Sequence, residues 1–221
     1  MSAGGSAGGS AGGSAGGSAS GSGGSADGTN LPVSVAVEKL ESLSPSDLED
    51  LCHATEAAID EGGGFGWIKR PERETLEKYW RGFLLVPGRA LFVARLDGVI
   101  AGSAQLVRPP RNNEAQAFSA QLTSTFVAPW ARGHGLGRGL VRAVEQAARQ
   151  AGIAILNLDV RETQGAAIQL YESSGYTRWG THPAYARVSG RVIPGHYYFK
   201  RLTAEDAAGG GADAGPEPDH A

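Results

Sequence analysis

Four glycines occupy alternate positions within residues 127–144, whose sequence is VAPWARGHGLGRGLVRAV. They are Gly133, Gly135, Gly137 and Gly139. They open a stretch with helical apolar spacing, although each glycine costs a helix about 1 kcal/mol relative to alanine. A strand ending at Pro129, a glycine-rich turn and a helix together present unpaired backbone N–H groups at the positive end of a helix dipole. The spacing therefore predicts an anion site, to which Arg132 and Arg138 add positive charge.

Two other phosphate-binding loops fit this segment less well. A P-loop needs a Gly-Lys-Ser/Thr sequence, and none follows the glycines. A dinucleotide fingerprint is favoured only by Asp159, an acidic residue about 20 positions further on. A glycine-rich turn without a ligand is the structural alternative, but its glycines would then destabilise the start of the helix without any compensating function.

The elements that must position this turn lie between two low-complexity ends. Residues 1–30 contain four SAGG repeats, and residues 203–221 carry five carboxylates with no Lys or Arg, so we expect both segments to be disordered. The 172 residues between them, 31–202, are enough for one domain with a core. The chain has a net charge of −3, but without the C-terminal carboxylates and Asp27 the body carries +3. A mildly basic body suits a small anionic ligand better than nucleic acid.

The composition also indicates in which cellular compartment the protein is expected and whether a metal is expected. A single cysteine, Cys52, excludes an internal disulfide, and no apolar run approaches the roughly 20 residues needed to span a bilayer. The N-terminus lacks the charged start and apolar region of a signal peptide. His53, His134 and His196 lack metal-ligand spacing, so no metal is expected. We therefore expect a cytoplasmic protein without a nucleic-acid or membrane partner.

Local signals predict the first half of the chain. Ser44 and Asp47 have the types and spacing of a helix start, and Pro71 is expected to begin a second helix. Asp97-Gly98 between two alternating apolar runs is a strong hairpin signal. One strand before the first helix and this hairpin after the second give the order β α α β β.

The second half continues this order with β α β α β β. A long strand at about residues 117–128 leads into a helix that starts at Leu136 and stops at Gly152. Residues 121–160 should form a strand–helix–strand unit with parallel strands. The late strands are expected in YTRWG and GHYYFKRL, with residues 181–190 as a loop between them. The expected fold class is α/β (α+β), a single domain with a mixed, mostly antiparallel sheet flanked by helices.

Two segments resemble motifs of the GCN5-related N-acetyltransferase (GNAT) family. VAPWARGHGLGRGL is similar to its acetyl-CoA loop, V-x-P-x-x-R-G-x-G-x-G, and LDVRETQGAAIQLYESSGY resembles its next motif, a helix that ends in Leu-Tyr before Gly-Tyr or Gly-Phe. The resemblance extends over residues 31–202 and implies a GNAT-like domain. Residues 84–202 further resemble the tabtoxin-resistance acetyltransferases.

The resemblance implies acetyl-CoA as a cosubstrate. It places the pyrophosphate on the amides of residues 132–138 and the pantetheine on the edge of residues 126–128. Where the family usually has Asn beside the pantetheine, this chain has Gln164, whose arm is longer. The implied cofactor-binding residues are Phe126, Val127, Ala128, Arg132, Gly133, His134, Gly135, Leu136, Gly137, Arg138 and Gln164.

The resemblance also assigns a catalytic acid. Tyr171 falls at the family's tyrosine position and would donate a proton to the departing thiolate, with a core tyrosine as the structural alternative. A carboxylate base is common on the long central strand, but AFSAQLTSTFVA has none. Asp159, at the end of the facing strand, is the candidate base, with Glu162 behind it. An acceptor of low amine pKa, or a water relay, would need no strong base.

Two segments are candidates for the acceptor pocket. Residues 61–70 and 181–190 are expected to be loops that supply Phe65, Trp67, His182 and Tyr185. Aromatic side chains in such loops also serve as anchors to the core.

The sequence thus favours an acetyl-CoA-dependent N-acetyltransferase that acts on a small-molecule amine, and the narrower resemblance implies an amine toxin or antibiotic. Acetylation of a protein N-terminus or lysine is the alternative within the same chemistry. A non-catalytic CoA-binding sensor or scaffold is the alternative of another class. The resemblance also implies a possible homodimer.

Overall fold

The computed structural model describes residues 32–63 and 66–202. The segments predicted to be disordered, residues 1–30 and 203–221, lie outside these ranges, as does Phe65. Strands within the described part are β1 (Val35–Leu40), β2 (Arg89–Leu96), β3 (Val99–Val107), β4 (Ser119–Val127), β5 (Ile155–Arg161), β6 (Thr177–Val188) and β7 (Arg191–Arg201). Its α-helices are α1 (Pro45–Asp60), α2 (Arg73–Leu84), α3 (Leu136–Gln150) and α4 (Gly165–Ser173).

The strands form one sheet in the order β1-β2-β3-β4-β5-β7-β6. Strands β4 and β5 pair in parallel across helix α3, and the other neighbouring pairs are antiparallel. This arrangement confirms the predicted order of elements, the parallel unit and the mixed, mostly antiparallel sheet.

Most of the local signals act as predicted. Ser44 and Asp47 form a reciprocal capping box at the start of α1. Asp97 and Gly98 take positive φ values of 50° and 86° in the tight turn between β2 and β3. Helix α2 begins at Arg73, two residues after the predicted start at Pro71.

Helices cover both faces of the sheet. Helix α3 packs through Leu140 and Val144 on one face, in a core that also contains Leu156 and Leu158 of β5. On the other face α1 and α2 pack against β2, β3 and β4. Val160 of β5 belongs to the same core. Since side chains alternate along a strand, Asp159, between Leu158 and Val160, points to the α1 side of the sheet.

Strands β4 and β5 pair over only part of their length. The parallel ladder joins residues 119–121 to residues 155–157, although β4 continues to Val127 and β5 to Arg161. The ladder between β3 and β4 shifts its register between residues 123 and 126 of β4. Within this stretch Ser124 takes a left-handed φ of 49°. The edge of β4 that would face β5 is therefore unpaired by β5 from Leu122 onward.

The prediction of a loop at residues 181–190 is wrong. Residues 181–188 continue β6, which pairs with β7 on both sides of a bulge between His182 and Ala186. The hairpin turns at Ser189 and Gly190, both with positive φ. Pro183 within the strand breaks the alternating pattern that sequence analysis relies on, and the bulge accommodates it.

Candidate active site

The turn between β4 and α3 has the geometry of an anion site. Gly133 and Gly135 take φ values of 86° and 77°, a region that favours glycine. Gly135 is the N-cap of α3, and its carbonyl accepts a 3.0 Å hydrogen bond from the Gly139 N–H. The amides of residues 136–138 therefore have no acceptor inside the helix and are available to an anion.

The other two glycines have a packing role. A Cβ on Gly137 would lie 3.2 Å from Leu170 Cδ2, and a Cβ on Gly139 would lie 3.0 Å from Val37 Cγ2. Both residues lie within the first turn of α3, where it approaches α4 and β1. Gly133 and Gly135 thus allow the conformation of the turn, whereas Gly137 and Gly139 allow α3 to pack closely on its neighbours.

A cavity of about 540 Å³ lies beside this turn. We call it the turn cavity; it is bounded by residues 125–127 of β4, residues 131–138 and residues 163–171. Its lining includes most of the predicted cofactor residues: Phe126, Val127, Arg132, Gly133, Gly135, Leu136, Gly137, Arg138 and Gln164. Ala128 is instead buried, and its amide donates to the Ala101 carbonyl of β3. The His134 ring lies 3.2 Å from the Ala131 carbonyl and is tied to the turn itself.

An acidic residue that sequence analysis did not identify also lines the turn cavity. Glu61, just after α1, forms an ion pair with Arg132 at 2.5 Å, and both side chains are about half exposed. Arg138 lies 3.4 Å from the Ser173 hydroxyl. An anion entering the turn cavity therefore meets Arg132 in an ion pair with a carboxylate and Arg138 in a hydrogen bond to a neutral hydroxyl.

A second cavity, of about 460 Å³, lies between β4, β5 and the β6–β7 hairpin. We call it the hairpin cavity; β4 supplies residues 122–125 and β6 supplies residues 185–188. It brings together two predicted residues 26 positions apart, because the Tyr185 hydroxyl donates a hydrogen bond to Asp159 Oδ2. Burial, then this hydrogen bond, raises the pKa of Tyr185 above its ordinary value.

The bulge in β6 determines where Tyr185 lies. Its ring covers Gly195 of β7 so closely that a Cβ at that position would overlap the ring. His182 Nδ1 accepts a 3.0 Å hydrogen bond from the Ala184 N–H and so holds the bulge from within. His182 is exposed and its hydrogen bond stabilises the backbone of the bulge. Of these two predicted acceptor residues, Tyr185 lines the hairpin cavity.

Tyr171 lines both cavities. It lies near the end of α4 with 6% of its surface exposed, and Thr125, Gln164 and Ala167 also contribute to both cavities. Burial raises the pKa of Tyr171, the charge of Asp159 adds to the shift, and the Thr125 side chain opposes it. Tyr171 is thus a buried residue in the wall shared by the two cavities, and its hydroxyl is protonated at neutral pH as in any tyrosine below its ordinary pKa of about 10.

The loop after β5 is tied to the end of α1. Gln164 Nε2 donates to the Gly62 carbonyl, and Arg161 Nη2 donates to the Gly63 carbonyl, both at 2.8 Å. Gln164 also occupies the N-cap of α4. These bonds hold one wall of both cavities, so Gln164 has a structural contact in addition to any contact with a ligand.

Trp67, also predicted to contact the acceptor, is not among the residues that line the hairpin cavity. Its ring packs edge-to-face on Tyr79 with centroids 5.0 Å apart, at the margin of the core beneath α1 and α2. Its neighbours Gly66 and Ile68 line the hairpin cavity instead.

Sequence analysis also missed two basic residues of the hairpin cavity. Arg161 and Arg187 line it beside Asp159. Arg161 follows Asp159 by two positions on the same strand, and the alternation of a strand would have placed the two side chains on one face.

Residues 32–63 and 66–202 lack two features. No group of three or more His, Cys, Asp or Glu side chains there is placed to hold a metal ion. Nor does that part of the chain contain a helix with the length and apolar character needed to cross a membrane.

The model of the Acetyltransferase (GNAT) family matches residues 53–176, more than half of the chain. The chain belongs to the GNAT family. This match spans β4, α3, β5 and α4, which contribute the turn, the unpaired strand edge and Tyr171.

Individual GNAT relatives agree with the family match. An uncharacterized N-acetyltransferase in the hisH-hisA intergenic region of Azospirillum brasilense is 63% identical over 130 residues, which cover 59% of this chain and 77% of the relative. The N-alpha-acetyltransferase RimI of Mycobacterium tuberculosis is 35% identical over 97 residues, covering 44% and 58%. The structure of yncA from Salmonella typhimurium, solved with its cofactor acetyl-CoA, shares the fold with a TM-score of 0.64 at 18% identity, covering 81% of this chain and 98% of that one.

The protein is therefore a GNAT acyltransferase that uses acetyl-CoA. The described residues fit such a donor. Free amides at a helix start suit a pyrophosphate, and an unpaired strand edge suits an arm that contains amide groups.

Proposed function

We propose that this GNAT protein transfers the acetyl group of acetyl-CoA to the amine of a small molecule, with the donor in the turn cavity and the acceptor in the hairpin cavity. The observation that carries the proposal is the position of Tyr171, which lines both cavities. A group shared by two cavities is placed to act on the bond that breaks as the acetyl group passes between them.

The donor is held mainly by backbone atoms. The amides of residues 136–138 bind the pyrophosphate, and the unpaired edge at residues 125–127 binds the pantetheine. Arg138 adds positive charge, and Arg132 does so when it leaves Glu61.

Tyr171 acts as the general acid. Acetyl-CoA supplies a thioester, and attack by the neutral amine forms the C–N bond while the C–S bond breaks. The Tyr171 hydroxyl gives its proton to the departing thiolate and regains one from solvent. The hydroxyl is available as a donor at neutral pH because a tyrosine keeps its proton below its ordinary pKa of about 10.

Asp159 and Tyr185 receive the amine. The amine loses one proton on becoming an amide, and the Asp159 carboxylate accepts it through the Tyr185 hydroxyl or a water molecule. The hydroxyl groups at residues 123–125 of β4 line the same cavity and offer further hydrogen bonds to the acceptor.

The finer form of the proposal is detoxification in the cytoplasm. The resemblance of residues 84–202 to tabtoxin-resistance acetyltransferases supports an amine toxin or antibiotic as acceptor. Acetylation of a protein N-terminus is the second candidate, because one relative is named an N-alpha-acetyltransferase.

A screen of acceptors tests the proposal. Acetyl-CoA is incubated with small amines in one arm and with short peptides bearing free N-termini in the other, and released thiol and acetylated product are measured. We expect thiol release to rise with a small amine and the product to carry one acetyl group on nitrogen. Turnover of the peptides alone would replace the small-molecule proposal with the second candidate, and thiol release without an acetylated amine would contradict both.

A further inference from the structure

The charges of the hairpin cavity are unbalanced. Its lining contains two guanidinium groups, Arg161 and Arg187, and one carboxylate, Asp159. Neither arginine forms an ion pair with a carboxylate in the described part of the chain, whereas Asp159 already accepts the hydrogen bond from Tyr185. The cavity is therefore positively charged before an acceptor enters.

The two arginines differ in how they are held. Arg161 is partly buried at the end of β5, and its Nη2 bond to the Gly63 carbonyl fixes one end of the guanidinium. Arg187 lies on β6 just beyond the bulge, where the strand resumes its pairing with Val192 of β7. A guanidinium has five N–H donors, so both groups retain donors for a ligand.

Guanidinium groups recognise a particular chemistry. Carboxylates match their planar fork and form two parallel charge-assisted hydrogen bonds. An acceptor that carries only positive charge, such as a polyamine or a basic peptide, would instead be repelled by both groups. Selection between these classes follows from the charge of the cavity.

We propose, as a refinement that rests on the proposed function, that the acceptor is a small amine that also carries a carboxylate. Arg187 and Arg161 hold the carboxylate while Asp159 and Tyr185 face the amine. The volume of about 460 Å³ suits a molecule of amino-acid size. Arg187 and Arg161 are thus specificity-determining residues, and their role is separate from the acid chemistry of Tyr171.

Matched acceptors test this inference with the full-length protein. Each amino acid of a panel is compared with its own methyl ester and carboxamide, which retain the amine and lose the negative charge. We expect kcat/KM to be roughly 10- to 100-fold higher for the free acids, as for loss of a hydrogen bond to a charged group. The preference should appear mainly in KM, because the arginines hold the acceptor and do not act on the breaking bond.

Variants assign the preference to the cavity. Arg187→Gln should remove most of the preference and leave the affinity for acetyl-CoA unchanged, and Arg187→Glu should reverse it in favour of carboxamides. Arg191→Gln is the matched control, since Arg191 is exposed at the start of β7 in the same hairpin and is not part of the cavity lining given above.

The outcomes separate the inference from the proposed function. Equal kcat/KM for acids and carboxamides, or an equal loss for both in Arg187→Gln, would overturn the inference while amine acetylation stands. Acetylation restricted to amines without an acid group would do the same. If no amine of either class accelerates thiol release, the proposed function itself fails, and the inference fails with it.

Discussion

The turn cavity and the hairpin cavity are adjacent, but they offer different kinds of chemical groups to a ligand. In the turn cavity the groups offered to a ligand are largely backbone amides from one continuous segment, residues 133–138, with glycines where φ is positive. The hairpin cavity offers side chains from separate strands, brought together by bulges in β4 and β6. A backbone site can bind the same donor in many relatives, whereas a side-chain site can change its acceptor by single substitutions.

This difference divides the expected effects of mutations. Changes in the turn cavity should alter the affinity for acetyl-CoA, and changes in the hairpin cavity should alter kcat/KM for the acceptor. Tyr171 is proposed to protonate the departing thiolate and not to hold either ligand, so its substitution should mainly slow the chemistry.

The largest effect is expected for Tyr171→Phe. Removing the hydroxyl keeps the ring and its packing but removes the proton donor, so kcat should fall by about 100- to 10,000-fold. The dissociation constant for acetyl-CoA, measured by calorimetry, should change little. Tyr176→Phe is the control because its ring packs on Tyr171 with centroids 5.9 Å apart in the same core. Similar kcat losses in both variants would point to a packing defect.

The next largest effect is expected for Gly135→Val. A β-branched residue at a φ of 77° distorts the turn, and the loss of one or two hydrogen bonds to phosphate corresponds to about 100-fold weaker acetyl-CoA binding. Gly152→Val is the control, because Gly152 follows the other end of α3 with a φ of 74°. Both variants should lose about 1–3 kcal/mol of unfolding free energy. Undiminished acetyl-CoA binding by Gly135→Val would refute the anion site.

The sequence was sufficient to predict the turn cavity because its determinants are local. Glycine spacing, a strand that ends at Pro129 and a helical stripe after Leu136 all lie within one short segment. The structure adds what spacing does not contain, namely that Gly139 is required by contact with Val37 of a distant strand.

The hairpin cavity was only partly predictable. Asp159 and Tyr185 were identified one by one, but their contact depends on a bulge that no local rule specifies, because Pro183 obscures the strand pattern. Arg187 carries no spacing signal, and its position follows from the β6–β7 register. Side chains that meet through long-range pairing leave little trace in the sequence.

A smaller effect is expected on the acceptor side for Tyr185→Phe. The Asp159 carboxylate loses its hydrogen-bond donor, so kcat/KM for the acceptor should fall by about tenfold, as for a hydrogen bond to a charged group. The affinity for acetyl-CoA should not change. Tyr197→Phe, with its ring centroid 6.1 Å from that of Tyr185, is the control. An equal loss of acetyl-CoA affinity would show that the two cavities do not act separately.

Glu61→Gln should have a small effect of the opposite sign. It removes a negative charge from the lining of the turn cavity and frees Arg132, so acetyl-CoA should bind about two- to fivefold more tightly. The gain should shrink as salt is added, because both side chains are about half exposed. Glu49→Gln, on the first half of α1, makes the same change in net charge and serves as control. Weaker binding by Glu61→Gln would mean that Glu61 orders the turn.

The smallest effect is expected from removing residues 1–30 and 203–221. Both cavities lie within residues 32–202, so the truncated protein should keep its melting temperature and its affinity for acetyl-CoA. A large loss in either, measured by thermal melting and calorimetry, would assign a structural role to one of the two segments.

A crystal structure of the protein with CoA tests the central claim most directly, through the distance between the CoA sulfur and the Tyr171 hydroxyl oxygen. We predict that the pyrophosphate lies on the amides of residues 136–138 and that the sulfur lies within hydrogen-bond reach of Tyr171, where the cavities meet. A sulfur outside that reach, with Tyr171 still enclosed in the core, would contradict the assignment of Tyr171 as the acid and of the two cavities as donor and acceptor sites.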